Sequence, residues 1–313
     1  MGSLELIDYK TSTAWQEARR LGIGASEAGT LFGLTPPGRD SPYAMWCRKS
    51  GLWVPQNEPN ELFEFGHRVE PIVAQAYADR TGSKVWTPPS PYCVAVSPKL
   101  PFMFATLDRW ILFAKDRPDR GDLEIKNVSV FAQDWKKDGA FTVPLYVQAQ
   151  VQHQLAVTGF RWGVVAALVG GNKLEIIPIE RNDEFIEALE EKLVEFWRRV
   201  QTGDPPPIDG YEATSNVIRE LHPSDNGETI ELRSDAADLW AELEAAKEEE
   251  KAAETRAEQA ENRLREILGE NTYGSLPDGR RLSLKTSDRA GYTKVVQPSK
   301  YRQLRIEKPK QRR

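Results

Sequence analysis

Cysteine is scarce in this chain. Only Cys47 and Cys93 occur among 313 residues, far apart and in no CxxC pattern. That argues against a zinc ribbon, an iron–sulfur cluster or a disulfide scaffold, and suits a reducing cytoplasm. Long apolar runs are missing too. None approaches the ~18 residues of a membrane-spanning helix, so no membrane partner is expected. The N-terminus lacks the basic-then-apolar pattern of a secretory signal, and a cytoplasmic location is expected. No GxxxxGK[ST] occurs, which argues against a P-loop motor. Positive charge is not in excess. Lys and Arg number 42 against 47 Asp and Glu, a net charge of −5. The chain is therefore no basic nucleic-acid coat, and any contact with DNA must be local. One local concentration is Lys300–Arg313, where seven Lys or Arg stand against the single Glu307.

What is present is enough for a sizeable core: 40% hydrophobic residues and 9 Trp. The stretch that organises the chain runs from Ala105 to Asn127. It predicts two strands, one through Ala105–Trp110 and one through Leu123–Asn127, around a polar turn at Lys115–Gly121. Strand side chains alternate between faces, so Glu124 and Lys126 point one way and Leu123 and Ile125 into a core. Asp108 on the neighbouring strand can bring a second carboxylate to Glu124. Two carboxylates 4 Å apart repel by ~4 kcal/mol at an effective dielectric near 20. A hard divalent cation such as Mg²⁺ offsets that, since it takes carboxylate oxygens and keeps several waters. An exposed hairpin with incidental charges is the alternative on these residues alone.

Upstream, Trp15, Arg19 and Arg20 precede Gly24-Ala25-Ser26-Glu27, which reads as a loop entering a helix with Ser26 as N-cap. Backbone N–H groups at a helix start beside an Arg make a phosphate site, although an ordinary capped helix has the same pattern. Ser41–Leu52 reads as a short helix ended by Gly51. Glu61–Gly82 is helical in period, with Leu62, Phe65, Val69, Val73 and Tyr77 near one stripe. Pro71 marks a new first turn or a kink, and Glu70 lies beside it. Lys84–Val96 is β-like. Val130–Lys137 reads as a short amphipathic helix. A helix from Val143-Pro144 to about Thr158 carries Gln148, Gln150, Gln152, His153 and Gln154, too many polar groups for one solvent face if the helix is packed. Trp162–Val169 and Lys173–Ile179 form a hairpin around Gly170-Gly171-Asn172, and Asp183–Val200 a helix. Gly203-Asp204-Pro205-Pro206-Pro207 looks like a boundary.

Two domains are expected, 1–207 and 208–313. The second holds a long helix over about 235–269, a small hairpin around Pro277-Asp278-Gly279 and the basic tail. Leu239, Leu243, Ala246, Glu250, Ala253, Ala257, Ala260, Leu264 and Ile267 follow 4,3 spacing, the coiled-coil period. The tail also reads as a solubilising end.

Four blocks in order then resemble one family: Trp15…Arg19…Ala25-Ser26-Glu27, Phe65-Gly66…Glu70-Pro71, Leu123-Glu124-Ile125-Lys126, and Gln150-Val151-Gln152-His153…Thr158-Gly159. They resemble the PD-(D/E)XK nucleases and, within them, the YqaJ-like viral recombinase family that includes phage lambda exonuclease. The resemblance covers about residues 12–207. It implies an α/β fold, a mixed sheet flanked by helices with a restriction-endonuclease-like core, followed here by the C-terminal helical extension. It implies a deoxyribonuclease of two-metal type acting on double-stranded DNA ends, 5′ to 3′, in phage-type recombination by single-strand annealing. Asp108 and Glu124, with the Ile125 carbonyl, would hold Mg²⁺ or Mn²⁺, and Glu70 would complete the metal site through water. Lys126 would orient or deprotonate the attacking water, and Gln150 would hold the nucleophile or the lysine. Arg19 and Ser26 would bind a 5′ phosphate. A ring-shaped homotrimer is implied, with a single-strand annealing protein as partner. The family's Pro-Asp-Gly is here Leu107-Asp108-Arg109, which leaves the local turn open. A structure- or sequence-specific endonuclease of the same superfamily and a non-catalytic DNA-binding or assembly module are the alternatives.

Overall fold

A computed structural model describes residues 4–36, 39–55, 61–288, 290–291, 302 and 304–305, with the side chains of residues 62 and 63 left out. The basic tail from Lys300 lies largely outside the described residues. Contacts divide the chain into two compact units, Met1–His222 and Pro223–Arg313.

In the first unit the strands are β1 (Glu5–Asp8), β2 (Ile23–Gly24), β3 (Lys84–Trp86), β4 (Cys93–Val96), β5 (Met103–Ala105), β6 (Arg109–Phe113), β7 (Gly121–Val128), β8 (Lys136–Lys137), β9 (Ala140–Phe141), β10 (Trp162–Val169) and β11 (Lys173–Glu180). The helices are α1 (Ser12–Arg20), α2 (Ala28–Leu31), α3 (Pro42–Lys49), α4 (Glu61–Thr81), α5 (Leu145–Thr158), α6 (Asp183–Thr202) and α7 (Glu212–Leu221). The fold is mixed α/β, with mixed sheets flanked by helices. The larger sheet has the order β11-β10-β7-β6-β3, and only β7 and β10 run parallel in it. A smaller sheet has the order β1-β4-β5-β2. The predicted first strand is thus two. Thr106-Leu107-Asp108 carries the chain from β5 in one sheet to β6 in the other, and Asp108 sits on that crossing, not within a strand.

β7 is central, and its alternation is strict. Leu123 and Ile125 are buried with Val73, Ala74 and Tyr77 of α4 on one face. Asp122, Glu124 and Lys126 take the other face, where Val147, Val151 and Leu155 of α5 pack on Val165 and Ala167 of β10. β10 needs no polar face because helices cover both sides, as expected of the parallel part of a sheet. Gly121 has a packing reason: a Cβ there would stand 2.7 Å from the Trp162 ring.

The helix expected over Glu61–Gly82 is found as α4, one helix running through Pro71. Other expectations are corrected. Phe65 of the predicted stripe is 56% exposed. Val130–Lys137 is not a helix but a loop, a 3₁₀ turn at Gln133–Trp135 and strand β8. Helix α6 does stop at Gly203, whose φ of +69° caps it, but the first unit continues to His222. α7 packs on α3 through Val217, and the Thr214 hydroxyl meets that of Ser41 at 2.6 Å.

The second unit contains the 33-residue helix α8 (Ala236–Leu268) and the hairpin of β12 (Tyr273–Ser275) with β13 (Arg281–Ser283). No helix among the described residues is long and apolar enough to cross a membrane.

The Gly121 contact yields a stability prediction. Gly121→Ala pushes a methyl group into a fixed indole and should cost about 1–3 kcal/mol. The urea midpoint of the pure protein reads it, and an unchanged midpoint would show that Trp162 can yield.

Candidate active site

The β6–β7 pairing sets Arg109 opposite Leu123. One residue further along, on the α5 face, Asp108 stands beside Glu124. Its Oδ2 accepts the Ile125 N–H at 2.8 Å. Within a strand the N–H and C=O of one residue point to the same side. The Ile125 carbonyl therefore opens toward Asp108, where the β6 ladder has ended.

Glu124 is 2% exposed and would be costly there without partners. It has three. Lys126 Nζ lies 2.5 Å from Oε1. Gln150 Nε2 donates to Oε1 at 2.7 Å, and Gln154 Nε2 to Oε2 at 2.6 Å. Gln150 Oε1 in turn accepts from Lys126 Nζ at 3.1 Å. Gln150 thus touches both the acid and the lysine. The polar series on α5 is explained without a solvent face. Gln152 donates to the Glu180 carbonyl at 2.7 Å and Gln148 to that of Val143 at 2.7 Å, while His153 meets the Phe104 carbonyl at 3.0 Å.

The charges are not balanced. Burial, then the negative charges of Glu124 and Glu70, hold the Asp108 carboxyl well above its ordinary range, against the pull of Lys126. Asp122, fully buried two residues before Glu124, is raised in the same way by burial, Glu124 and Asp108. Burial would lower Lys126, but Glu124 and Asp108 hold it above its usual value, so it is a cation.

A divalent ion fits this donor set. The donors are oxygens only: Asp108, the Ile125 carbonyl, and Glu124 Oε2, which one hydrogen bond leaves with a free lone pair. The excess negative charge at Asp108 asks for a cation, and Mg²⁺ is content with one or two carboxylates and water. Among the described residues no group of three or more His, Cys, Asp or Glu side chains gathers to hold a metal. Glu70 is accordingly not gathered as a third ligand. Its Oε1 lies 2.8 Å from His67 Nδ1, and its Oε2 lies 3.9 Å from Arg109 Nη1. Arg109, 8% exposed, also donates to the Asp108 carbonyl. The position where the family pattern has Gly therefore places a guanidinium between the acids of α4 and the crossing.

Arg19 and Ser26 are elsewhere, and they part company. Ser26 is exposed on a 3₁₀ turn (Ala25–Glu27) and caps no helix, because the next helix, α2, starts at Ala28 after Glu27 and has only four residues. The expected helix N-terminus at Ser26 is not there. The buried Glu27 carboxylate turns back to accept the Gly24 N–H at 2.9 Å and leaves Ser26 outside. Lys49 Nζ at 2.7 Å and Arg48 Nη2 at 3.1 Å pair with Glu27. Burial alone would raise Glu27, yet Lys49, Arg48 and Arg19 bring it down to about 2. Arg19 lies over the Trp15 ring, 4.7 Å from its centroid. Arg19, Arg20, Arg48, Lys49, Trp15 and Trp53 line an open groove of about 380 Å³ that includes none of Asp108, Glu124 or Lys126. Arg48 and Lys49 escaped the sequence reading because basic residues in a last helical turn are ordinary.

The class is now defined: a mixed α/β domain that sets an acid and a lysine on its central strand and a second acid beside them, under a glutamine-bearing helix. Residues 14–161 match the YqaJ-like viral recombinase domain. The match takes in α1, Asp108, β7 and α5. The chain is 29% identical over 265 residues to the uncharacterized protein YqaJ of Bacillus subtilis (strain 168), covering 83% of this chain and 79% of that one. Among solved structures it is similar to an alkaline exonuclease, LHK-Exo, from Laribacter hongkongensis, at 19% identity over 62% of this chain and 94% of that one, with a TM-score of 0.45. It is also similar to a phage-related exonuclease from Haemophilus somnus 129PT, at 11% identity over 66% and 99%, with a TM-score of 0.40.

Two buried groups give a pH prediction. Burial moves His153 from 6.5 down to about 4. As pH falls below 6.5 the unfolded chain takes up that proton first, so stability is full above 6.5 and lost on the way to 4. The loss is at most about 3 kcal/mol. Glu27 adds a further loss as pH falls from 4.5 toward 2. Asp108 and Asp122, held above their ordinary range, gain stability over the same descent, so the comparison is with His153→Gln: urea midpoints from pH 7 to pH 4 should fall more steeply in the parent protein, and equal slopes would rule out a buried neutral His153.

Proposed function

We propose that the protein is a metal-dependent deoxyribonuclease that degrades linear double-stranded DNA from its ends, 5′ to 3′, in recombination by single-strand annealing. One observation carries the reading: Asp108, Glu124 and Lys126 share one sheet face, with Gln150 bonded to both the acid and the lysine. The match of residues 14–161 to the YqaJ-like viral recombinase domain supports it.

Asp108, Glu124 and the Ile125 carbonyl would hold Mg²⁺ or Mn²⁺. When bound, such an ion lowers the pKa of coordinated water and polarises a phosphoryl oxygen. The chain supplies the rest. Lys126, held charged by its acids, attracts the scissile phosphate, orients the attacking water and stabilises charge growing on the phosphoryl oxygens. In this arrangement it is a cation and not a base. Gln150 fixes the ammonium, and Gln154 fixes the carboxylate from its other side. α5, buried between the sheet and the rest of the unit, excludes water from behind Glu124. The cations of the Arg19 groove are the place for a terminal phosphate of the DNA, with Arg48 and Lys49 beside Arg19 instead of Ser26. The chain has a net charge of −5, so a closed ring of copies would keep it on duplex DNA where a surface grip would be lost to salt. An annealing protein would then receive the exposed strand, in the cytoplasm.

The test is release of nucleotides from linear duplex with Mg²⁺ or Mn²⁺. Lys126→Ala should lower the rate by ~10²–10³-fold, as removal of a charge-stabilising donor does. Gln150→Ala should lower it by ~10–100-fold, as for groups that orient a site from outside it. Glu124→Gln should abolish it. Digestion of closed circles at the linear rate would point to an endonuclease, and full activity in Glu124→Gln would remove the site from the reaction.

A further inference from the structure

Helix α8 has 33 residues and a length of about 50 Å. Only Leu268, at its end, is buried, against Gly274 of the β12 strand. Leu239, Leu264 and Ile267 on its seam are 58%, 41% and 78% exposed. Within the helix only Arg265 and Glu261 form an ion pair among the described residues. A polar helix this long bridges domains through solvent, is laced by many such pairs or is not stable alone, and this one has a single pair and an apolar seam that a partner would cover. The seam runs through more than three heptads, which is long enough for a coiled coil.

We infer that α8 pairs with α8 of a second copy of this chain, antiparallel, with Leu239 facing Leu264 of the other copy. The charges beside the seam select this arrangement. In heptad terms Leu239 takes a d position and Leu243 an a position. One flank, the g positions, reads Glu242, Glu249, Arg256, Arg263, acidic first and basic later. The other, the e positions, reads Trp240, Lys247, Glu254, Glu261, Leu268, with its one base before its two acids. Side chains at e and g set the orientation of such pairs. In an antiparallel pair each flank meets the same flank of the other copy. With Leu239 opposite Leu264, Glu242 then meets Arg263, Glu249 meets Arg256 and Lys247 meets Glu254. All three are opposite charges, and each forms twice.

A parallel pair does worse. It keeps Glu242 on Lys247 and Arg256 on Glu261, but it sets Glu249 against Glu254 and puts both Glu250 side chains in one core layer. The antiparallel pair puts Glu250 opposite Ala253. Ala246 meets Ala257 and Leu243 meets Ala260, so small residues face each other or a larger one, and the helices can approach closely. Moving the antiparallel register by one heptad brings Arg256 against Arg256 and Glu254 against Glu254, so one register is preferred. Lys247, Arg256 and Arg263 form no ion pair among the described residues and are available for it.

This inference does not draw on the activity proposed above, and its test reads no DNA cleavage. Chains carrying Leu239→Cys and chains carrying Leu264→Cys are produced separately and together in full length, then oxidised. Both native cysteines are buried. The mixture should give a disulfide-linked dimer and either variant alone should not. No cross-link in the mixture, or cross-linking of each variant with itself, would overturn the antiparallel pair. Adding Glu242→Arg and Glu249→Arg to both chains should abolish the cross-link, and adding Arg256→Glu and Arg263→Glu as well should restore it. A cross-link that survives the first pair of changes would show that these charges do not choose the partner.

Discussion

Glu124 is the group on which the first unit turns. A carboxylate 2% exposed in the middle of a sheet demands donors, and the chain delivers them from one helix and one neighbouring residue. Gln150 and Gln154 reach down from α5, and Lys126 reaches across from the same strand. This requirement fixes the depth and rotation of α5. The remaining contacts of that helix follow: Gln152 ties it to the end of β11, and His153 ties it to β5 of the other sheet. A polar cluster of this kind is poor as a source of stability, since apolar packing of the same volume would serve as well. Its value is in the chemistry left over, an acid-rich spot at Asp108 with one fixed cation beside it.

The excess negative charge is the second theme. Asp108 and Asp122 both lie in the field of Glu124, and Glu70 adds its field at Asp108 from α4. Lys126 answers one charge, and Arg109 sits between Glu70 and the Asp108 backbone. Arg109 is the residue in which this chain departs from the family pattern. Its guanidinium is always charged, so it moderates the acid cluster from behind, on the side away from α5. A cation would relieve a site left this unbalanced. The Glu27 cluster is the opposite case. There Lys49 and Arg48 meet the buried Glu27, Arg48 also pairs with Asp40, and the cations left over are Arg19 and Arg20 at the groove. Two regions of opposite excess charge are therefore built in one unit, and α5 borders both, through Gln150 and through its packing on the turn at Ala25–Glu27.

Much of the site was legible along the chain because strand geometry is local. Alternation on β7 places Glu124 and Lys126 together wherever the strand goes, and the crowding of glutamines on α5 announced a buried polar face. α5, the β10–β11 hairpin, α6 and α8 were legible for the same reason, from periodicity and from Gly or Pro at their ends. The misreadings share a cause as well. Val130–Lys137 has helical spacing, but Trp135 is buried against Phe141 and Val143, and tertiary packing overrode the period. Ser26 has the identity of an N-cap, but the neighbouring Glu27 took the backbone N–H of Gly24. The end of the first unit was misplaced because Gly203 does end a helix, while the packing of α7 on α3 joins residues more than 160 apart.

The sequence by itself determined which residues alternate, which helices are amphipathic, where turns fall, and the order of charges along α8, because all of these depend on neighbours a few positions away. Tertiary structure alone decided that Asp108 crosses between sheets to reach Glu124, that Gln154 and not only Gln150 holds that acid, that Arg48 and Lys49 join Arg19, and that Glu70 stays apart with His67. Those outcomes depend on which distant groups meet in a water-poor interior, where each buried charge must find a partner and the chain order does not say which.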